Sequence, residues 1–150
     1  MLRPSKKLAL ALEAVVDIAF QATLEPVQSQ DIARRMDLPR RYLEQVMQQL
    51  VRAGILKGVR GPRGGYRLAR ERRRISIADI VAVVERFDEE ENGSAASTSQ
   101  LGQQVMAPFW TSLEEEFMTK LSSITIEDLC RRAERLDVRN ERARDMDYSI

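Results

Sequence analysis

The stretch Val59-Arg60-Gly61-Pro62-Arg63-Gly64-Gly65-Tyr66-Arg67 constrains this chain more than any other. Glycines at 61, 64 and 65 let a backbone reverse tightly and approach a partner closely. Gly54-Ile55-Leu56-Lys57 leads into the stretch and Tyr66-Arg67-Leu68 leads out, which predicts a β-hairpin with a basic tip. Nine Lys/Arg and a single acid, Glu71, lie between Arg52 and Arg74, and Arg60, Arg63, Arg67 and Arg70 surround the turn. The glycines do not form a nucleotide-phosphate loop, because neither Gly-x-x-x-x-Gly-Lys-Ser/Thr nor Gly-x-Gly-x-x-Gly occurs.

What precedes the hairpin gives it a context. A first helix is predicted over residues 5–23, apolar nearly all round and therefore buried, with Ser5 as N-cap and Lys6 and Lys7 left to meet phosphate. Ser29 is expected to cap a second helix, Gln30–Met36. Asp37-Leu38-Pro39 makes a turn, since the residue before proline avoids the α region. A third helix follows from Pro39 to Ala53, with Leu43, Val46 or Met47, and Leu50 inward and Gly54 ending it. Helix, turn, helix and basic hairpin in this order make a winged helix-turn-helix, whose second helix enters the major groove of DNA while the hairpin reaches the flanking minor groove or backbone.

The outer face of the third helix carries Arg41, Gln45, Gln48 and Arg52, with Arg40, Glu44 and Gln49 beside them. Arg pairs with guanine O6/N7, Gln with adenine N6/N7, and Glu accepts from cytosine N4. A helix that is merely solvated more often alternates Lys with Glu, so base readout is the favoured reading of this face.

Composition narrows the class. A chain of 150 residues with 43% hydrophobic and 31% charged residues fits one domain, or one small domain with an appendage. No run of 18 apolar residues exists, and Glu13 and Asp17 interrupt Leu8–Phe20, so the expectation is a cytoplasmic protein with no membrane partner. Histidine is absent and cysteine occurs once, which removes the usual general base, any disulfide framework and any all-cysteine metal site; no enzyme is expected. The net charge of +1 hides a split: residues 1–74 hold 16 Lys/Arg against 7 Asp/Glu, and residues 75–150 hold 8 against 16. A basic first half suits a polyanion and leaves the second half to another task.

That second half begins with Ser76 as the cap of a fourth helix ending near Arg86. The acidic, then small and polar, run from Asp88 to Ser99 reads as a mobile loop. Leu101, Val105, Phe109, Leu113, Phe117 and Leu121 recur every four residues on the longest helix, and a winged helix is complete without them. This stripe needs another surface: a second copy of the chain, or the helix's own domain. Pro108 should kink this helix or mark a new first turn. Thr125 caps a short helix from Ile126 to Leu136 carrying Cys130, expected to be a buried thiol. The fold class is thus mainly α, a winged helix-turn-helix domain (1–87), a flexible acidic and Ser-rich loop (88–100), dimerisation helices (101–136) and a disordered tail (137–150).

Several pieces resemble the Rrf2 family of winged-helix transcription regulators: Tyr42-Leu43-Glu44-Gln45 followed by Leu50, the wing Val59 to Leu68, Val16-Asp17-Ile18-Ala19, and Leu121-Ser122-Ser123-Ile124-Thr125-Ile126. The resemblance spans roughly residues 1–136 and is most specific in the wing. It implies a homodimer on a partly palindromic operator, paired through the long helix. It further implies that Tyr42, Glu44 and Gln45 read the major groove and that Arg60 enters the minor groove. Arg40 and Arg41 stand where relatives often have small hydroxyl residues. Many relatives hold an iron–sulfur cluster on three cysteines in the loop before the dimer helix. Here Asp88–Gln104 has none, Ala107 falls where one relative has histidine, and Cys130 lies elsewhere, so no cofactor is expected.

The expected function is a sequence-specific regulator of transcription, a repressor because blocking a promoter needs only occupancy of DNA. Its partners would be double-stranded DNA, a second copy of itself, and a small-molecule or protein effector. The DNA-binding set comprises Ser5, Lys6, Lys7, Ser29, Arg40, Arg41, Tyr42, Glu44, Gln45, Gln48, Arg60, Gly61, Arg63, Gly64 and Arg67. The competing reading is a winged helix that has become a protein-interaction module through Leu101–Leu121. The arginines of the tip argue against it, since a module freed from DNA has no use for them.

Overall fold

The computed structural model describes residues 3–93 and 96–141. Helix α1 (Lys6–Phe20) is capped as expected: the Leu8 N–H donates to Ser5 Oγ at 3.1 Å. It ends three residues early, where the Gln21 N–H still reaches Asp17 O at 2.8 Å and Gln21 is buried. Helix α2 (Ser29–Met36) takes Gln28 as its cap, without a side-chain bond. Ser29 is therefore not the cap but the first helical residue, because its hydroxyl is engaged by Glu44 instead.

Asp37 turns the chain in the left-handed region (φ 52°), and the Leu38 N–H closes on Ala33 O at 3.0 Å. Helix α3 (Arg40–Arg52) then starts one residue later than expected, with Pro39 as cap at φ −60° and ψ 128°. Leu43, Val46, Met47 and Leu50 face inward and are buried. Gly54 takes φ 77°, which lets the N–H groups of Gly54 and Ile55 reach Val51 O (3.1 Å) and Leu50 O (3.0 Å). Those two bonds satisfy the last carbonyls of α3 and drop Ile55 into the core.

Strands β1 (Leu56–Val59) and β2 (Gly65–Leu68) pair antiparallel, Leu56 opposite Leu68 and Val59 opposite Gly65. Val27, from the α1–α2 connection, adds a third rung through reciprocal bonds with Tyr66 (3.0 and 2.8 Å). A Cβ on Gly65 would lie 2.3 Å from Val27 O and one on Gly64 2.3 Å from Val59 O, so the wing is tied to the body where only glycine fits.

After a single 3₁₀ turn (Arg72–Arg74), helix α4 (Ile77–Asn92) opens with a full capping box between Ser76 and Asp79. It does not stop near Arg86. The acids at 88–91 continue the helix, since Glu favours helix, Lys7 of α1 pairs with Asp88 (3.5 Å) and Glu91 (3.8 Å), and Gly93 ends it. The expected loop is thus shorter at its start, and residues 94 and 95 lie outside those described.

The long helix runs on through a π turn: residues Gly102–Met106 widen it, with the Ala107 N–H on Gly102 O, and α5 (Ala107–Ser122) follows in unbroken helical backbone with Pro108 in its first turn. Proline lacks an N–H and crowds the carbonyl four residues back, and the wider turn accommodates that. No residue of α5 is buried.

Helix α6 (Ile126–Arg135) carries a second capping box, Thr125 with Asp128. Its start is bridged to the start of α4: the Ile77 N–H donates to Ile124 O and the Ile126 N–H to Ile75 O, each at 2.9 Å. Ile126 and Cys130 belong to the same core as Ile18, Ile32, Leu43, Leu50 and Ile80. α6, grouped in the sequence reading with the dimerisation helices, packs on α1 and the 3₁₀ turn. The first residues of the expected disordered tail also have fixed partners, Asn140 on Phe20 O and Glu141 on Arg34 and Arg35, while residues 142–150 lie outside those described.

Candidate nucleic-acid interface

Helical spacing sets out one face of α3. Arg41, Tyr42, Gln45 and Gln48 are exposed, and among the described residues none of these side chains has a hydrogen-bond or ionic partner. Polar side chains kept out of internal bonds are the ones available to base edges. Arg40 and Glu44 differ. Arg40 Nε donates to Glu44 Oε1 at 3.0 Å and to Ser29 Oγ at 3.2 Å, and the Ser29 hydroxyl donates to the same Glu44 oxygen at 3.1 Å. Ser29 is 7% exposed, and its hydroxyl orders Arg40 and Glu44. Among the described residues the remaining guanidinium nitrogens of Arg40 have no partner and are open to an anion. Tyr66 lies beneath this pair: burial, and then the Glu44 charge, push its phenol up from the usual tyrosine range.

The wing tip, residues 60–64, stands next to it. Arg60 is exposed and has no ionic partner among the described residues. Gly61 takes φ 113°, a turn conformation that side chains resist, and Gly64 leaves no room for a Cβ. Their part in the site is to shape the tip. Arg63 is 84% exposed and touches Glu25 at 3.4 Å. Arg67 turns from the tip to the carbonyls of Thr23 and Leu24 and so braces the α1–α2 connection. Between wing and α3 lies a cleft bordered by Gln28, Gln30, Arg40, Arg60, Gly61 and Tyr66. It joins Ser29, Arg40, Arg60, Gly61 and Gly64 of the expected set in one surface.

The N-terminus of α1 contributes less. Ser5 is occupied as a cap, Lys6 is exposed, and Lys7 is held by the α4 acids with only 17% of its side chain exposed. Lys7 pairs internally with Asp88 and Glu91, which the helical extension of residues 88–92 brings to it. Gln28, Gln30 and Tyr66 were missed. Their signal is indirect: two glutamines beside Ser29 on the first turn of α2, and a Tyr whose strand meets Val27.

The expected dimerisation residues form a second surface. Leu101, Val105, Phe109, Leu113 and Phe117 are exposed, Phe117 to 61%, whereas Leu121 packs partly against the core. Beside them runs an apolar cleft between α1, α4 and α5, lined by Leu8, Leu12, Val81, Val84, Trp110 and Leu113.

The donor set does not fit a cysteine-ligated cluster. Such clusters need several thiolates on one site. The sequence has a single cysteine and no histidine, and Cys130 is wholly buried, its thiol pushed up by burial despite Arg72 close by. Among the described residues no three His, Cys, Asp or Glu side chains are grouped to hold a metal ion. Nor, among them, is any helix long and apolar enough to cross a membrane.

Comparison with known proteins agrees with this architecture. The family model Rrf2, described as an iron-dependent transcriptional regulator, matches residues 4–132. The HTH-type transcriptional regulator IscR of Xenorhabdus nematophila is 32% identical over 138 residues, covering 91% of this chain and 84% of that protein. The solved structure of T. potens IscR is 33% identical with a TM-score of 0.72, over 92% of this chain and 93% of that one. CymR, the global cysteine regulator of B. subtilis, is 27% identical with a TM-score of 0.67, over 88% and 98%. The similar proteins are regulators rather than enzymes, and the fold, the wing and the matched span agree: this chain belongs to the Rrf2 family of transcriptional regulators.

Proposed function

We propose that the protein is a sequence-specific DNA-binding repressor that acts in the cytoplasm as a homodimer on a partly palindromic operator, without an iron–sulfur cluster. The observation that carries this reading is the set Arg41, Tyr42, Gln45 and Gln48 on one face of α3, without internal partners among the described residues, with the exposed Arg60 of the wing on a cleft shared with Arg40 at the start of the same helix. A recognition helix with a basic wing beside it fits a major groove and the adjacent minor groove. Two copies would present two such faces, which a two-fold operator matches. The exposed stripe Leu101 to Phe117 is the surface that supports pairing, because apolar faces of this size are rarely left to water. A repressor of this kind takes its signal from a small-molecule effector or partner protein, or from its own concentration.

The test is fluorescence anisotropy of the iron-free protein on DNA from upstream of its own coding sequence, beside a scrambled duplex, at two salt concentrations. Nanomolar binding that prefers the upstream DNA is expected, with a salt slope that counts phosphate contacts at about 0.9 each. Weak and equal binding to both duplexes would overturn the reading in favour of a protein-interaction module.

A further inference from the structure

The segment after α6 lies across the beginning of the helix-turn-helix. α6 ends in a left-handed turn, Asp137 at φ 54°, with the Val138 N–H on Ala133 O at 3.0 Å. Asn140 Nδ2 then donates to Phe20 O, at the end of α1, at 2.7 Å. Glu141 comes next, and two arginines share its carboxylate. Arg34 donates from Nη1 to Oε1 (3.3 Å) and from Nη2 to Oε2 (2.9 Å), and Arg35 Nη1 donates to Oε2 (3.2 Å).

The two arginines are not equivalent. Arg35 grips both oxygens of Asp17 at 2.8 Å, and its side chain is only 13% exposed, so it joins α2 to α1 whatever Glu141 does. Arg34 is 60% exposed, and among the described residues its one other acid, Asp31, stands 3.8 Å away. Arg34 borders a shallow cleft with Gln30, Leu38 and Arg40, and Gln30 and Arg40 also border the cleft beneath Arg60. Its guanidinium therefore stands at the far edge of the face that carries α3 and the wing. In a helix-turn-helix the first helix crosses the sugar–phosphate backbone. A cation in that place is a phosphate contact, and here a carboxylate covers it.

We infer that Glu141 is an electrostatic mask over Arg34, which keeps one phosphate contact of the DNA-binding face in reserve and so limits affinity for DNA. The inference rests on the DNA-binding reading above. Hydrogen bonds from Arg34, then Arg35, hold the Glu141 carboxyl down at about 2. Acid therefore does not lift the mask within any ordinary range of pH; a competing anion such as a DNA phosphate, or removal of the charge, does.

Glu141→Gln in the full-length protein tests this by anisotropy on a duplex of mixed sequence, since a phosphate contact is independent of base order. The variant should bind about fivefold more tightly at low salt, and the slope of log affinity against log salt should steepen by about 0.9. Arg34→Gln in the Glu141→Gln background should cancel both gains. Unchanged or weaker binding by Glu141→Gln overturns the mask, and so does a gain that survives Arg34→Gln. Wild-type protein that binds no duplex would instead overturn the DNA-binding reading itself, a separate result from a wild type that binds and a variant that binds no better.

Discussion

At the scale of single residues, charge alone does not say which arginine is open to a partner; what each one already holds narrows the choice. Arg60 and Arg67 sit seven positions apart in one basic stretch, yet Arg67 is bonded to Thr23 and Leu24 carbonyls and Arg60 to nothing described. Arg60→Ala should weaken operator binding by about 1–3 kcal/mol, whereas Arg67→Ala should act mainly through the fold. Anisotropy titrations beside thermal melts separate the two, and an Arg60 variant with wild-type affinity would remove the wing from the interface. The glycines divide in the same way. Gly65→Ala puts a Cβ against Val27 O, and overpacking of that kind costs about 1–3 kcal/mol, read as a lowered melting temperature. Gly58→Ala meets nothing within 4 Å and should leave the melt unchanged. The basic tip was legible from sequence because glycine and arginine report on it directly. The Ser29–Arg40–Glu44 cluster was not, because it joins α2 to α3 through side chains whose meeting depends on how those helices pack.

Elements were read well where a local signal governs them. Ser5, Ser76 and Thr125 cap helices as expected, and Gly54 ends α3, since each acts within four residues of itself. The end of α4 was misread because its acids look like a loop until Lys7, some eighty positions earlier, is set beside them. The docking of α6 escaped for the same reason: the bonds at Ile77 and Ile126 join segments about fifty residues apart. One consequence belongs to the contact of α4 with α5. Burial, and then the nearby charges of Glu114, Glu89 and Asp88, push the Glu85 carboxyl above its usual range. Its folded form thus holds a proton to higher pH than the unfolded chain does, so ionising it costs stability. That cost is absent in acid below the ordinary glutamate range and complete once pH has risen through the folded value. Glu85→Gln should raise the melting temperature at neutral pH by about 1–2 °C and make no difference near pH 3. Differential scanning fluorimetry at the two pH values reads it, and an equal shift at both would mean that the charge is not the cause.

The whole molecule divides its charge between two halves, a basic one that ends just past the wing and an acidic one that holds α4, α5 and α6. The sequence showed the split but not its overlap: α6 returns to the core, while α5 lies on α4 through Met118 and Leu121 and leaves the rest of its stripe uncovered. Its stripe ends in Phe117, 61% exposed, so a charge placed there disturbs little within one chain. Phe117→Glu therefore separates folding from pairing. If a second copy covers the stripe, the variant becomes a monomer in analytical ultracentrifugation while its helical circular dichroism stays intact. It then loses the avidity of two linked half-sites, about 100-fold in affinity for a palindromic operator, yet binds an isolated half-site as the wild type does. A variant that remains a dimer with full operator affinity would show that pairing uses another surface and that the stripe serves a different partner. A variant that turns monomeric and loses the half-site as well would place α5 in support of the recognition helix itself, through the packing of α4 against α1 and α3.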